Sequence, residues 1–312
     1  MPGPAPAPGP AAGPLTAALT AYAAVAGGDG PAVVVADRPD ATVVRVGGAV
    51  AKAHAADTDL AALGSRLAVA AHPRMRDILL PPYRPAAGAL SAEGRAVSVW
   101  PYGRPVDPGD PRAAPWEDAA VLLARLHSVP PAELPGPLPP MRGPAKAARA
   151  MARLRAAPDS AAARTVRLAW RRLPGWARDE TPREGRAAVC HGDWHLGQLV
   201  RYPAPDGRWL LIDVDDLGLG EPGWDLARPA MWFAAGLLAP EVWVRFLAAY
   251  RDAGGTAVPG DGDPWGRLDV PARTLAVQSA ATAVTKAARE ERDLDEAESE
   301  LLATCARIAH LK

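Results

Sequence analysis

Polar and titratable residues crowd around two short apolar segments near the middle of the chain. Leu199 to Tyr202 and Arg208 to Ile212 are predicted as short strands, and the five residues between them have the composition of a turn. A hairpin paired symmetrically about this turn brings Gln198 beside Asp213, and Asp193 lies one loop earlier. Magnesium takes a few protein oxygens and completes its shell with substrate phosphates. The spacing therefore predicts that these three side chains converge at the open end of the hairpin, where a hard cation could sit.

The elements that must position these residues change in type along the chain. Residues 1–14 are rich in proline and alanine and show no hydrophobic periodicity, so we interpret them as a disordered tail. In residues 15–103, β-branched runs alternate with turns and helical spacing, which predicts an N-terminal lobe with a small antiparallel sheet. The predicted elements are helices at 15–26 and 58–71 and strands at 32–35, 42–46, 49–54 and 95–102.

Helices dominate residues 104–312, which are predicted to form a second, mostly helical lobe, so the fold class is α+β. A connector with seven prolines, Pro130 to Pro144, interrupts them. We interpret the basic residues of the two helices after this connector as solvated faces. The predicted helices are 116–127, 145–157, 160–173, 222–238, 240–253, 271–290 and 294–311.

Composition excludes several classes of protein. The 312 residues include 35 basic and 35 acidic side chains, so no global field favours nucleic acid or an anionic membrane. No apolar run approaches the roughly 20 residues that span a bilayer. Cys190 and Cys305 lie too far apart in sequence for a disulfide framework or a zinc spacing. A signal peptide begins with a positively charged region, whereas the first positively charged side chain here is Arg38. A cytoplasmic protein is therefore expected.

Two motifs in this order resemble the aminoglycoside phosphotransferase family of small-molecule kinases. The first is His191-Gly192-Asp193 with the amide of Gln198 five positions later. The second is Leu-Ile-Asp, ending at Asp213, followed by an Asp-Leu-Ala run that starts at Asp225. Lys52 in Val-Ala-Lys and the segment 98–102 extend the resemblance upstream, and it covers roughly residues 30–310. It implies a two-lobed, protein-kinase-like fold.

The resemblance also implies a role for each matching residue. Asp193 would accept a hydrogen bond from the acceptor hydroxyl and align it for attack on the γ-phosphate. Gln198 and Asp213 would hold Mg²⁺, while Lys52 would neutralise the phosphates of ATP or GTP. Asp225 would brace the large lobe. Backbone groups near the hinge would hold the nucleotide base, at Val99, Trp100 and Tyr102.

Two departures from the family pattern stand out. Gln198 replaces an asparagine and is one methylene longer, so it must fold back to reach the metal. A glutamine near His-Leu-Gly occurs in maltokinase-like members. The helix at 58–71 lacks the glutamate that normally pairs with the strand lysine, and Asp57 or Asp59 could substitute.

The function implied is transfer of a γ-phosphate to a hydroxyl of a small molecule, with an aminoglycoside-like antibiotic as the leading acceptor and antibiotic resistance as the consequence. The alternatives are a sugar kinase of the maltokinase type, a degenerate module that binds nucleotide without turnover, and a purely structural protein. The expected partners are the acceptor and a nucleoside triphosphate, without nucleic acid or membrane. The sequence does not indicate the oligomeric state.

Each site residue also has a structural explanation. Asp193 and Asp213 could cap turns, and Lys52 could be a strand-edge lysine with a solvated head. The acidic stretch 290–300 could line a pocket for a polycationic acceptor, although a solvated helix start is favoured. Four tryptophans could stack on a sugar, although such residues more often fill a core: Trp194, Trp224, Trp232 and Trp243.

Overall fold

The computed structural model describes residues 13–83, 90–185 and 187–311. The predicted disordered tail lies outside these residues except for its last two. The described chain divides into two compact units. The first runs up to Arg104 and includes Arg201–Arg208, and the second comprises the remaining described residues from Pro105 onwards.

The first unit is built on a five-stranded antiparallel sheet with the order β1-β2-β3-β5-β4. Its helices are α1 (Pro14–Val25) and α2 (Leu60–Ala70). Its strands are β1 (Ala32–Arg38), β2 (Ala41–Val46), β3 (Ala49–Ala53), β4 (Ser91–Ala92) and β5 (Arg95–Pro101).

The alternation of side chains along β2 and β3 sets the two faces of this sheet. Val44 and Ala51 are fully buried and join Leu19 and Ala23 of α1 in one apolar cluster. Since successive side chains of a strand point to opposite faces, Lys52 lies on the face away from that cluster. The outer strand β1, by contrast, is mostly exposed along its length.

The second unit is mainly helical. After the two-residue strand β6 (Arg104–Pro105), its first helices are α3 (Trp116–Ser128), α4 (Gly143–Ala156) and α5 (Ala161–Arg171). Four short strands follow along the chain: β7 (Ala188–Cys190), β8 (Leu199–Tyr202), β9 (Arg208–Leu211) and β10 (Gly218–Gly220). The part of the β8–β9 hairpin at Arg201–Arg208 belongs to the first unit. The last helices are α6 (Gly223–Ala234), α7 (Pro240–Asp252), α8 (Trp265–Arg289) and α9 (Glu296–Ala309).

Helix α8 is the centre of the helical packing, with α4, α5, α6 and α9 all lying against it. Trp194 and Trp243 are 2% and 4% exposed, and both stack on Phe246. The interpretation as core residues is therefore confirmed for Trp194, Trp224 and Trp243, whereas Trp232 is only partly buried. No helix within the described ranges is long and apolar enough to cross a membrane.

The α+β class and the order of the predicted elements are confirmed, while several boundaries differ and the short strands β4, β6, β7 and β10 were not predicted. Helix α8 begins at Trp265, six residues before the predicted start, and carries Pro271 inside it. Proline is favoured in a first turn but does not require one. Helix α6 ends at Ala234 instead of residue 238, because Gly236 adopts a positive φ of 75° that terminates it.

Candidate active site

Strand β7 delivers the His191-Gly192-Asp193 loop to the site. Asp225, in the first turn of α6, accepts hydrogen bonds from the backbone N–H groups of His191 at 2.6 Å and Gly192 at 2.8 Å. Gly192 has a φ of 85°, and a Cβ there would clash with the carbonyl oxygen of Asp216. Asp225 therefore holds the loop through both of its carboxylate oxygens.

A buried network supports Asp225 in turn. Its Oδ2 contacts Nε2 of His127 at 3.0 Å, and Nδ1 of His127 lies 2.7 Å from the hydroxyl of Tyr250. That hydroxyl accepts a hydrogen bond from the N–H of Ala257 at 2.9 Å. Burial raises the pKa of Tyr250, so the group stays a neutral phenol.

His127, Cys190 and Asp225 lie close enough together to hold a metal ion, their candidate ligand atoms being within 4.8 Å of one another. Both ring nitrogens of His127 are nevertheless engaged, and both oxygens of Asp225 accept loop amides. Burial raises the pKa of Cys190, which favours the thiol over the metal-binding thiolate. The trio therefore acts as structural support for the loop.

Asp193 is held by one cation on each carboxylate oxygen. Lys146 Nζ lies 2.6 Å from Oδ2, and Arg228 Nη2 lies 2.9 Å from Oδ1. Arg228 also donates through Nε to the carbonyl oxygen of Trp194 at 3.1 Å, which fixes the guanidinium. Burial alone would raise the pKa of Asp193, but the charges of Lys146 and Arg228 outweigh it, and the pKa lies below its usual value.

The contact between Lys146 and Asp193 was missed by the sequence analysis, which treated the basic residues of α4 as solvated. Lys146 also lies 2.8 Å from Oδ2 of Asp216, and the charges of both carboxylates raise its pKa against the opposing effect of burial. A signal was present, because lysine is rare in this chain and one isolated lysine among many arginines marks a position with a specific requirement.

The metal-binding candidates meet as the hairpin predicted. The N–H of Ile212 donates to the carbonyl of Gln198 at 3.0 Å, and Gln198 Nε2 lies 3.4 Å from Oδ2 of Asp213. The donor set fits Mg²⁺, because this ion prefers oxygen ligands. The Asp213 carboxylate presents oxygen directly, and the Gln198 side chain presents it when its amide group flips so that Oε1 takes the place of Nε2. Gln198 therefore does fold back towards Asp213.

His191 links the Asp193 loop to the residue that precedes Asp213. His191 Nε2 lies 2.8 Å from the carbonyl of Ile212, the residue before Asp213. Burial, followed by the charge of Arg228, lowers the pKa of His195 to about 4, although the charges of Asp193 and Asp213 both oppose this. Both carboxylates thus act on one imidazole, which is neutral at pH 7.

The candidate nucleotide-binding residues lie in the first unit. Lys52 pairs in register with Ser98, whose hydroxyl lies 2.8 Å from Nε1 of Trp100. The Val99 carbonyl accepts from the N–H of Tyr83 at 2.9 Å, and the Tyr102 N–H donates to the carbonyl of Gly48 at 2.7 Å. Two of the expected backbone groups therefore already have partners within this unit.

Helix α2 departs from the family pattern further than its sequence indicated. Asp59 is the N-cap of the helix and accepts from the N–H groups of Ala61 and Ala62 at 2.9 and 3.1 Å. The buried stripe of the helix contains Arg66, which is 4% exposed, between Leu63 and Leu67. The buried side of this helix thus includes a cation.

The acidic stretch 290–300 is used for local structure. Glu298 forms ion pairs with Arg292 and completes a capping box with Asp295 at the start of α9. Glu290 also pairs with Arg292, and Glu300 pairs with Arg307. The interpretation of residues 290–300 as the start of a helix is confirmed.

Residues 68–269 match the family model described as the phosphotransferase enzyme family. A search of curated proteins found no match.

Solved structures with a similar fold cover most of the chain. A choline/ethanolamine kinase family protein from Mesorhizobium loti is 17% identical, with a TM-score of 0.58, covering 95% of this chain and 94% of its own. Aminoglycoside phosphotransferase APH(3'')-Id from Streptomyces rimosus is 23% identical, with a TM-score of 0.55 and coverages of 81% and 95%. A thermostable mutant of aminoglycoside phosphotransferase APH(4)-Ia, in ternary complex with AMP-PNP and hygromycin B, is 15% identical, with a TM-score of 0.57 and coverages of 89% and 92%.

Proposed function

Because this chain belongs to the phosphotransferase enzyme family, we propose that it transfers the γ-phosphate of ATP or GTP to a hydroxyl group of a small molecule, with Asp193 as the catalytic residue. The observation that carries this proposal is the meeting of Gln198 with Asp213 beside the loop that holds Asp193. Phosphoryl transfer requires little covalent chemistry from the protein, so positioning and charge neutralisation supply most of the catalysis.

Asp193 would act by orientation more than by basicity. Its lowered pKa keeps it ionised at neutral pH, and a carboxylate that already binds two cations is a weak base. It can still accept a hydrogen bond from the acceptor hydroxyl and hold that oxygen in line with the γ-phosphate. The hydroxyl proton would pass to the carboxylate late in the transfer.

Gln198 and Asp213 would hold Mg²⁺, which would neutralise charge on the phosphates when bound. Lys52 would contact the phosphates from the face of the first unit's sheet that lies opposite the apolar cluster. For the nucleotide base, we propose the strand end that contains Val99, Trp100 and Tyr102. Since the Val99 carbonyl and the Tyr102 N–H have protein partners, the polar contacts would fall to the neighbouring backbone groups.

For the acceptor, we propose an aminoglycoside-like antibiotic first, in line with the aminoglycoside phosphotransferases among the similar structures. Such an activity would confer antibiotic resistance. The second candidate is a sugar, favoured by Gln198 within its His-Leu-Gly context. A cytoplasmic location is proposed from the two buried free thiols, Cys190 and Cys305.

The test is an acceptor panel of aminoglycosides, macrolides and sugars, read by a mass increase of one phosphate, with wild type and Asp193→Asn side by side. We expect the variant to lose transfer by about 10³-fold or more while its affinity for Mg-ATP stays within about threefold, because Asp193 acts on the acceptor. Equal turnover in both proteins would refute the role of Asp193. A wild type that binds Mg-ATP and phosphorylates no acceptor would favour the module without turnover.

A further inference from the structure

Lys146 connects three segments of the second unit. It lies in the first turns of α4, and its ammonium group contacts Asp193 of the loop at 2.6 Å and Asp216 at 2.8 Å. Asp216 lies three residues after Asp213. One side chain thus bridges the catalytic carboxylate and the segment that follows the proposed metal ligand.

The start of α4 is itself attached to Asp216, so the position of Lys146 is well defined. The N–H of Arg142 donates to the Asp216 carbonyl at 3.0 Å, and Nε of Arg142 lies 3.5 Å from Oδ1 of the same residue. The carbonyl of Asp216 also packs against Gly192, next to Asp193. Lys146 therefore reaches Asp193 from a rigid base and not from a flexible surface segment.

The two carboxylates would repel each other without this cation. Arg228 holds only the Oδ1 side of Asp193, and Arg142 holds only the Oδ1 side of Asp216. The ammonium group of Lys146 contacts the Oδ2 atom of both carboxylates. Its side chain is 30% exposed, so a charge here is screened only in part.

We propose that Lys146 is a positioning residue for phosphoryl transfer, which fixes the orientation of the Asp193 carboxylate and keeps it ionised by bridging it to Asp216. The inference rests on the proposed function, because Asp193 must be the residue that aligns the acceptor. It assigns a role in the reaction to α4, which carries neither of the family motifs.

The first test is the pH dependence of kcat in Lys146→Met and Asp216→Asn. Loss of the ammonium exposes Asp193 to the negative charge of Asp216, so the acid limb of the profile should move up by about one pH unit. Loss of the Asp216 charge should move the limb down or leave it in place. The other charged or titratable groups that face Asp193, Arg228 and His195, are the same in both variants.

We expect kcat of Lys146→Met to fall by about 10–100-fold while KM for the nucleotide changes less than about threefold, because Asp193 acts on the acceptor. Lys146→Arg should restore the position of the acid limb, since it restores the charge, and only part of kcat, since its geometry differs. The control is Arg153→Met, an exposed position of the same helix, which should behave as wild type. An unchanged kcat and an unchanged acid limb in Lys146→Met would overturn the inference. So would shifts of the acid limb in the same direction in Lys146→Met and Asp216→Asn.

A second measurement does not depend on turnover. Carboxyl ¹³C NMR of aspartate-labelled protein, with Asp193 assigned by Asp193→Asn, gives its titration directly. A higher pKa of Asp193 in Lys146→Met supports the inference even if no acceptor is phosphorylated, in which case only the proposed function fails. An unchanged titration in a folded Lys146→Met variant refutes the bridge.

Discussion

Asp213 joins a proposed chemical role to an unusual backbone conformation. Its φ of 63° and ψ of 76° lie in the left-handed region, and its side chain caps the short turn Val214–Asp216. Aspartate and asparagine are the residues other than glycine that adopt this region most readily. The residue type therefore satisfies the turn and supplies an oxygen ligand at the same position.

The Asp213→Asn variant should separate these two roles. Asparagine keeps the left-handed backbone, so the free energy of unfolding should change by less than about 0.5 kcal/mol. The lost charge should weaken binding of Mg-ATP by about tenfold or more, as measured by calorimetry. Asp206→Asn in the exposed hairpin turn is the matched control, and an unchanged Mg-ATP affinity in Asp213→Asn would remove Asp213 from the metal site.

At the scale of elements, three helices meet in one buried hydrogen-bonded chain behind the His191–Asp193 loop. His127 comes from α3, Asp225 from α6 and Tyr250 from α7, and the chain ends on the loop amides of His191 and Gly192. The geometry of the loop therefore depends on the packing of helices that carry no reacting group.

Tyr250→Phe tests this dependence. It leaves the buried N–H of Ala257 and Nδ1 of His127 without the hydroxyl, so we expect a loss of about 1–3 kcal/mol in the free energy of unfolding by urea. Tyr22→Phe removes an exposed hydrogen bond to the carbonyl of Ser91 and should cost less than about 0.5 kcal/mol. Equal effects of the two substitutions on the free energy of unfolding would show that this buried hydrogen-bonded network contributes nothing to stability.

The hairpin β8–β9 illustrates what local sequence can predict. Its two apolar segments and its turn lie within fourteen consecutive residues, so the pairing that joins Gln198 to Asp213 followed from spacing alone. Lys146 is 47 positions from Asp193, and His127 is 123 positions from Tyr250. Those contacts depend on helix packing, which periodicity does not specify.

At the scale of the whole molecule, acid should destabilise the fold in two separate pH ranges. The pKa of His195 is lowered to about 4 from an ordinary value of 6.5. Between these pH values the unfolded chain therefore binds a proton at His195 and the folded chain does not. Stability is then fully present above pH 6.5 and falls as the pH drops towards 4. The pKa of Glu298 is lowered to about 2, mainly by Arg292, so its contribution is lost only below about pH 4.5.

His195→Gln should weaken the pH dependence of the free energy of unfolding between pH 6.5 and 4 and leave the more acidic range, which depends on Glu298, unchanged. We expect urea unfolding of the wild type to lose on the order of 1–3 kcal/mol between pH 6.5 and 4 through this residue, and the variant to lose correspondingly less. Glu298→Gln is the converse control, with an effect confined to the more acidic range. Identical slopes in wild type and His195→Gln would show that the imidazole does not resist protonation in the fold.

Gly192 limits how this protein could be engineered for new acceptors. Its positive φ and its contact with the Asp216 carbonyl leave no room for any side chain, so a library that randomises this position would return only glycine among active clones. Outward positions of α4 such as Arg153 face no such restriction. Directed evolution would therefore find tolerated substitutions at such outward positions and none at Gly192.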